Sequence, residues 1–155
     1  MKTKLIFSLY MCVMLAACRE VEVFYLSDLQ PDADYLSNWT GAYEGISDHW
    51  RAAPSQNDTG WTFLETHEDK AVLVNVQQGT LDSCLTLTIT YNQSTVVTNE
   101  NLKISFLGTH YSSWGGGSGA GSLSVTFTDD SLHYHYFQKC GIPCSSGIDF
   151  KIRKN

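Results

Sequence analysis

Apolar and polar residues alternate along most of the chain from Trp39 onward. The clearest run is 84–91, in which apolar residues occupy every second position from Leu85 to Tyr91 and threonines fill the positions between them. A period of two places successive side chains on opposite faces of an extended chain, so the pattern predicts half-buried β-strands. Valine, threonine and aromatic residues, which are common in strands, dominate these runs. Because no later window has a helical stripe, the chain is predicted to be all-β.

Eight strands are predicted in this part of the chain. Their expected ranges are 40–50, 61–66, 71–77, 84–91, 102–107, 122–128, 131–138 and 148–153. Strands this close in sequence mostly pair with their neighbours. They either close into an antiparallel up-and-down barrel, which removes exposed edges, or divide into two packed sheets. The barrel is the first prediction, and an immunoglobulin-like β-sandwich is the alternative.

The N-terminus has a different composition. Lys2 and Lys4 precede an apolar run over 5–15. This run is shorter than the roughly 20 residues that a permanent transmembrane helix needs. Small residues then lead to Cys18. A basic segment, an apolar segment and small residues before a cleavage site are typical of an export signal.

The segment Leu15-Ala16-Ala17-Cys18 resembles the lipobox of bacterial lipoproteins. The resemblance implies that residues 1–17 are a signal peptide and that Cys18 becomes the lipid-modified first residue, with palmitate or a similar acyl chain. The protein would then be held at a membrane by this lipid anchor. Arg19 is not the aspartate that retains some lipoproteins at the inner membrane, so the resemblance implies the outer membrane, on its periplasmic or its surface face. An ordinary secretory signal with a chance cysteine is the alternative.

Residues 18–38 are predicted to form an acidic tether, and residues 39–155 the β-barrel domain. The tether carries five acidic residues between residues 19 and 34 against Arg19 alone. Removal of the signal takes away two lysines and no acids, which changes the formal net charge from −6 to −8. So acidic a domain is a poor electrostatic partner for nucleic acids and for anionic lipid surfaces. The remaining chain is long enough for one domain with a hydrophobic core.

Two features of the predicted domain carry a further resemblance. The first strand begins with Trp39-Thr-Gly41-Ala-Tyr43, and Thr128-Asp129 lies at the turn between the sixth and seventh strands. Both resemble lipocalin and calycin barrels, which are eight-stranded cups that often bind a small apolar ligand. The resemblance implies that Arg153 packs across the first-strand aromatic residue. Asp130 departs from it, because the family usually has tyrosine there.

Beyond Cys18, the domain contains Cys84, Cys140 and Cys144. Outside the cytoplasm disulfides persist, so three cysteines allow one bridge and one free thiol. Cys140 and Cys144 flank a three-residue turn, which lets their Cα atoms reach disulfide distance, and they are the predicted pair. A bridge through Cys84 is the alternative, because the strand count places it at the same end of the barrel.

In an up-and-down barrel the connections alternate between the two ends. The strand count places loops 51–60, 78–83, 108–121 and 139–147 together at one end. The third of these loops combines aromatic residues with a run of glycines. Aromatic side chains suit sugars and apolar ligands. The predicted ligand-binding residues are His110, Tyr111 and Trp114. The alternative is a flexible loop with its tryptophan packed over the barrel rim.

No catalytic residue, cofactor or metal site is predicted. His133 and His135 share a strand face at a spacing that can chelate a metal, but no third histidine or fixed carboxylate accompanies them. The charged residues around His67 are predicted to form a solvated turn. Because the sequence lacks the G-x-S-x-G and H-E-x-x-H motifs, an enzyme is not predicted. The leading hypothesis is a membrane-anchored exported lipoprotein that acts as a binding module for a small or polymeric ligand, such as a small molecule or a glycan, at the mouth of the barrel. The alternative is a structural or protein-interaction envelope lipoprotein without a ligand.

Overall fold

A computed structural model describes residues 35–57, 60–141 and 143–155. For Asn57 and Trp61 the description covers the backbone only. The predicted signal peptide, the lipidation site Cys18 and most of the tether lie outside the described residues. The strands are β1 (Gly41–Asn57), β2 (Gly60–Gln78), β3 (Cys84–Tyr91), β4 (Thr95–Lys103), β5 (Thr109–Trp114), β6 (Gly121–Phe127), β7 (Ser131–Gly141) and β8 (Cys144–Lys154). The predicted all-β class with eight antiparallel strands is confirmed. No helix among the described residues is long and apolar enough to span a membrane.

The strands form one sheet in the order β4-β3-β2-β1-β8-β7-β6-β5. Consecutive strands pair antiparallel except β4 and β5, and a ladder between β1 and β8 joins the two halves of the sheet. The sheet curves into a nearly closed up-and-down barrel, so the sandwich alternative is wrong. At the gap between the two edge strands, His110 Nδ1 of β5 lies 3.0 Å from the backbone oxygen of Lys103 of β4.

The alternating apolar residues face the inside of the barrel and form its core. Val74 on β2, Leu87 on β3 and Val125 on β6 are fully buried. Every second residue of a strand points to the same face, so a period of two in the sequence gives one continuous apolar surface. Complete burial of each such side chain contributes about 1.5–3 kcal/mol.

A 3-10 helix over Tyr35–Trp39 covers one end of the barrel, which we call the closed end. The Tyr35 hydroxyl donates a hydrogen bond to the backbone oxygen of Ile104 (2.9 Å), and the Trp39 ring stacks on Phe127. Gly108 allows this packing, because its φ is +75° and a Cβ there would lie 3.0 Å from the indole. The opposite end, where β7 connects to β8, is called the open end.

A lysine, rather than the expected arginine, lies across the first-strand aromatic residue. Lys154 Nζ is 6.0 Å from the centroid of the Tyr43 ring and donates to the backbone oxygen of Asn38 (2.8 Å). Arg153 is exposed. A shift of one residue along a strand reverses the face to which a side chain points. The expected packing of Arg153 on this ring is therefore wrong.

Two predicted strands, 61–66 and 71–77, form the single strand β2. The charged residues around His67 lie in the middle of this strand rather than in a turn. Here β2 pairs with β1 but extends beyond β3, which ends at Tyr91 opposite Val72. Because no neighbouring strand in the described sheet covers this side of β2, its residues are solvated and carry charge without ending the strand.

The two edge strands also differ from the prediction. β4 covers Thr95–Lys103 rather than 102–107, and β5 covers Thr109–Trp114 inside the predicted loop 108–121. Edge strands have many exposed residues, which obscure the alternation of apolar and polar positions. In β4 a bulge with Asn101 at φ +52° also changes which residues face inward.

The corrected strands change which loops lie together. Residues 79–83 join β2 to β3 at the closed end, whereas residues 115–120 join β5 to β6 at the open end. The predicted grouping of 78–83 with the other three loops is therefore wrong. The prediction divided β2 into two strands, and this one extra strand placed residues 78–83 at the wrong end of the barrel. The prediction also omitted β5, so the later loops were again assigned to the correct end.

Candidate functional site

Burial of the inner-face side chains decreases from the closed end to the open end. On β7, Leu132 and Tyr134 are 0% and 4% exposed, whereas Tyr136 is only partly buried. On β8, Ile152 is 2% exposed, whereas Ile148, nearer the open end, is only partly buried. The core therefore fills the closed half of the barrel and leaves space on the inner face of the open half.

This space is a cavity of about 520 Å³ bounded by β1, β2, β7 and β8. Its volume falls within the range of about 300–1,000 Å³ that is usual for ligand-binding pockets. The inner-face residues that line it are His49, Arg51, Thr66, Glu68, Tyr136, Ser146 and Ile148. They occupy alternate positions on adjacent strands and lie opposite one another in the ladders. The same alternation that builds the core thus brings them around one space.

Hydrogen bonds hold His49 in one orientation. The Ser47 hydroxyl donates to the backbone oxygen of Lys70 (3.0 Å). It therefore accepts a hydrogen bond from His49 Nε2, which lies 3.1 Å away. This arrangement leaves His49 Nδ1 as a hydrogen-bond acceptor. Burial lowers the pKa of His49 below its ordinary value of 6.5, and the charge of Lys70 lowers it further, so the imidazole is neutral at neutral pH.

Tyr91 packs against His49, one of the residues that line the cavity. The two rings meet edge to face with centroids 4.6 Å apart. Tyr91 is 3% exposed, and its hydroxyl has no hydrogen-bond partner among the described residues. Burial raises the pKa of Tyr91, so the hydroxyl keeps its proton. A buried polar group without a partner costs about 1–3 kcal/mol.

Tyr134 is the second buried tyrosine in this region. Its ring stacks on Phe150 with centroids 4.8 Å apart, and Asn99 Nδ2 lies 3.5 Å from its hydroxyl. Burial raises the pKa of Tyr134 to about 12. Because Asn99 belongs to β4 and Tyr134 to β7, their contact crosses the inside of the barrel.

Trp114 is the predicted ligand-binding residue that contacts the cavity lining, through Tyr136, without lining the cavity itself. It lies on the inner face of β5 at the open end, opposite Gly121. Its ring centroid is 5.8 Å from that of Tyr136, which lines the cavity and donates from its hydroxyl to Gln138 Oε1 (2.7 Å). Trp114 is 39% exposed. The indole therefore combines packing on the rim with a surface that a ligand can contact.

The other two predicted ligand-binding residues, His110 and Tyr111, do not line the cavity. His110 faces inward, but its ring nitrogens lie near the backbone oxygen of Lys103 and the hydroxyl of Ser112 (3.0 and 3.3 Å), so it links the edge strands. Tyr111 lies on the outer face and is 70% exposed. The three residues thus belong to one strand but to opposite faces of the sheet.

Arg51 carries the unpaired charge of the cavity. It lies on β1 between Thr66 of β2 and Ser146 of β8. Its guanidinium forms no ion pair or hydrogen bond with any described residue. The acid in the lining, Glu68, pairs instead with Lys70 at 3.1 Å. Among the described residues that line the cavity, Arg51 is therefore a positive charge without a partner.

A separate polar cluster lies on the outer face. The carboxylate of Asp149 bonds to His135 Nδ1 and accepts a hydrogen bond from Trp50 Nε1 (2.8 Å). His133 lies two residues from His135, opposite Lys151. Among the described residues, no three histidine, cysteine or acidic side chains are arranged to hold a metal ion. His133 and His135 remain a two-residue pair on this surface.

The predicted disulfide is present between Cys140 and Cys144, whose Cα atoms are 5.1 Å apart. It joins β7 to β8 at the open end. Cys84 is free and 6% exposed at the start of β3, which lies at the closed end. The expectation that Cys84 shares an end with the other two cysteines is therefore wrong, and the topology separates it from them.

None of the residues that line the cavity was among the predicted ligand-binding residues. His49 and Arg51 continue the period of two that begins at Tyr43, and this was the signal that could have identified them. Tyr136 belongs to the same alternation on β7 as Leu132, but the neighbouring histidines obscured which residues face inward. Comparisons of the chain with protein-family models, with curated proteins and with solved structures found no match.

Proposed function

We propose that this protein is an exported lipoprotein, held at a membrane through Cys18, whose barrel binds a small molecule or a glycan unit in the cavity at its open end. The observation that carries the proposal is the change of the inner face from a filled core to a cavity lined by polar and aromatic side chains. A barrel filled by its own side chains has no room for a ligand.

The sequence resemblances support the two halves of this proposal. The segment ending at Cys18 resembles a lipobox, which supports lipid anchoring and the outer membrane. The first-strand segment from Trp39 to Tyr43 resembles lipocalin barrels, which are ligand-binding cups. The acidic net charge of −6 makes electrostatic adhesion to anionic lipid unfavourable, so attachment would depend on the acyl chains.

Binding in the cavity is tested with N-phenyl-1-naphthylamine, a neutral probe whose fluorescence rises in apolar surroundings. We expect saturable binding to the wild-type protein and its loss in Ile148→Trp, because the larger side chain fills the cavity. Ile46→Trp is the matched control, since Ile46 is 59% exposed on the outer face of β1. Equal binding by both variants, each shown to be folded by circular dichroism, would place the probe outside the cavity and contradict the proposal.

Anchoring is tested by expression of Cys18→Ala in the native host, followed by membrane fractionation. We expect an uncleaved precursor or a soluble exported form, because the acyl group is the proposed attachment. Cys12→Ala, within the predicted signal peptide, is the control and should remain membrane-bound. A cleaved Cys18→Ala protein that still fractionates with membranes would show that the lipoprotein assignment is wrong.

A second candidate function is docking of another envelope protein without a ligand. A groove of about 620 Å³ on the outer face of β1 and β2 favours it, since its lining includes the exposed Ile46 and Leu73. The two functions give different results in the probe experiment. If the protein only docks a partner, N-phenyl-1-naphthylamine should not bind the wild-type protein saturably. Ile148→Trp should then have no effect on the fluorescence of the probe.

A further inference from the structure

Charge in the cavity differs in sign from charge in the whole protein. The chain has a formal net charge of −6. Inside the cavity, His49 is neutral and Glu68 is paired with Lys70 at 3.1 Å, so among the described lining residues Arg51 is the charged side chain without a partner. An acidic protein that places an unpaired cation on the inner face of its cavity has a local site for an anion.

The position of Arg51 suits contact with a ligand. The neutral residues Thr66 and Ser146 lie opposite it on the two adjacent strands. No acidic side chain among the described residues holds the guanidinium, and the Thr66 hydroxyl donates to the backbone oxygen of Arg51 rather than competing for its side chain. A guanidinium presents several N–H donors in one plane, which matches the oxygens of a carboxylate or sulfonate.

The rest of the lining suits an apolar body rather than a second charge. Ile148 and Tyr136 lie in the same row of the sheet as His49, and Tyr136 contacts the ring of Trp114. Aromatic and aliphatic surfaces of this kind bind by removal of apolar area from water. The cavity thus joins an apolar wall to a single cationic group.

We propose that the ligand of the barrel is an organic monoanion, with an apolar or aromatic body against Tyr136 and Ile148 and one anionic group held by Arg51. This inference rests on the proposed function, because it assigns a chemical class to the ligand of the same cavity. It excludes a neutral sugar as the preferred ligand. It also assigns to Arg51 a role in specificity that the sequence did not indicate.

Two fluorescent probes that differ by one anionic group test the inference. 8-Anilinonaphthalene-1-sulfonate has the same ring system as N-phenyl-1-naphthylamine and adds a sulfonate. We expect the wild-type protein to bind the sulfonate about tenfold more tightly or better, as for a charge-assisted contact worth about 1.4 kcal/mol or more. Arg51→Gln should remove this preference, because it lowers the affinity for the sulfonate far more than the affinity for the neutral probe. Lys151→Gln, which removes an exposed cation on the outer face of β8, should change neither affinity.

The possible outcomes separate the two proposals. Equal affinities for the two probes in the wild-type protein, or a preference that persists in Arg51→Gln, would overturn the inference and leave cavity binding intact. Absence of binding by either probe, or binding of both that survives Ile148→Trp, would overturn both proposals. Arg51 is exposed, so its substitution is expected to leave the fold unchanged, and circular dichroism checks this.

Discussion

Trp114 lies with its indole directly over Gly121, the residue opposite it on the neighbouring strand. A Cβ at Gly121 would be 2.6 Å from Cζ2 of the indole, closer than side-chain atoms approach one another. The missing side chain therefore gives the indole a place on the inner face, from which it reaches Tyr136. A single glycine in the sequence thus positions the aromatic residue at the rim of the cavity.

Substitution of Trp114 should reduce binding far more than stability. We expect Trp114→Ala to weaken binding of N-phenyl-1-naphthylamine at least about tenfold, because an aromatic side chain that becomes buried against a ligand is worth on the order of 2 kcal/mol. The melting temperature should change little, since Trp114 is 39% exposed and lies outside the core. Tyr111→Ala is the control, because Tyr111 is on the opposite face of the same strand. A variant that unfolds, with normal binding per folded molecule, would show that Trp114 only packs on the rim.

Removal of the Tyr91 hydroxyl should not destabilise the protein. The hydroxyl is buried without a partner among the described residues, so Tyr91→Phe is expected to leave the free energy of unfolding unchanged or raise it by up to about 1 kcal/mol. Tyr134→Phe is the comparison, because it removes the contact with Asn99 and should lower stability. Denaturant titration measures both. A loss of more than about 1 kcal/mol in Tyr91→Phe would contradict the unsatisfied state of its hydroxyl.

Two histidines should titrate on opposite sides of 6.5. Burial lowers the pKa of His49, whereas the hydrogen bond with the Asp48 carboxylate raises the pKa of His67. NMR titration of the imidazole protons measures both values. In Asp48→Asn, the pKa of His67 should fall towards 6.5. A His49 pKa above that of His67 would contradict the described environments.

These shifts have opposite effects on stability. The unfolded chain binds a proton at His49 below pH 6.5 while the folded chain does not, so this residue reduces stability as the pH falls through that range. His67 stabilises the fold below pH 6.5 and loses that contribution as the pH rises through its raised pKa. His49→Gln should therefore reduce the loss of unfolding free energy between about pH 7 and about pH 5.

The disulfide closes a short loop and should contribute modestly. Replacement of Cys140 and Cys144 by serine is expected to lower the free energy of unfolding by about 2 kcal/mol, the entropy of closing a loop of this length. Peptide mapping under non-reducing conditions should yield one crosslinked peptide with both cysteines. Cys84 should react with an alkylating agent only after unfolding, because it is buried. A crosslinked peptide that contains Cys84 would contradict this pairing.

The sequence allowed correct prediction of those parts of the fold in which one face of a strand is buried. β3 and β6 follow the predicted ranges closely, since every second residue from Leu85 to Tyr91 and from Leu123 to Phe127 is buried. β5 was missed because an edge strand of polar residues has no alternation that distinguishes it from a loop. The count of eight was reached through compensating errors, because β2 was divided and β5 was omitted.

The candidate site could be predicted only in part for a related reason. Trp114 stood out because large aromatic residues are rare in polar loops. Arg51 and His49 do not stand out in the same way, since their importance depends on which acids are paired on the neighbouring strands. Those pairings follow from the register between β1 and β2, which the sequence does not specify in a hairpin whose outer half is solvated.

Native mass spectrometry of the protein purified from its own host tests the central claim most directly. We predict a retained small ligand on the wild-type protein and on Ile46→Trp, and its loss from Ile148→Trp, because only the last substitution fills the cavity. Folded wild-type protein that carries no ligand, or an equal amount of ligand on Ile148→Trp, would contradict a binding cavity at the open end of the barrel.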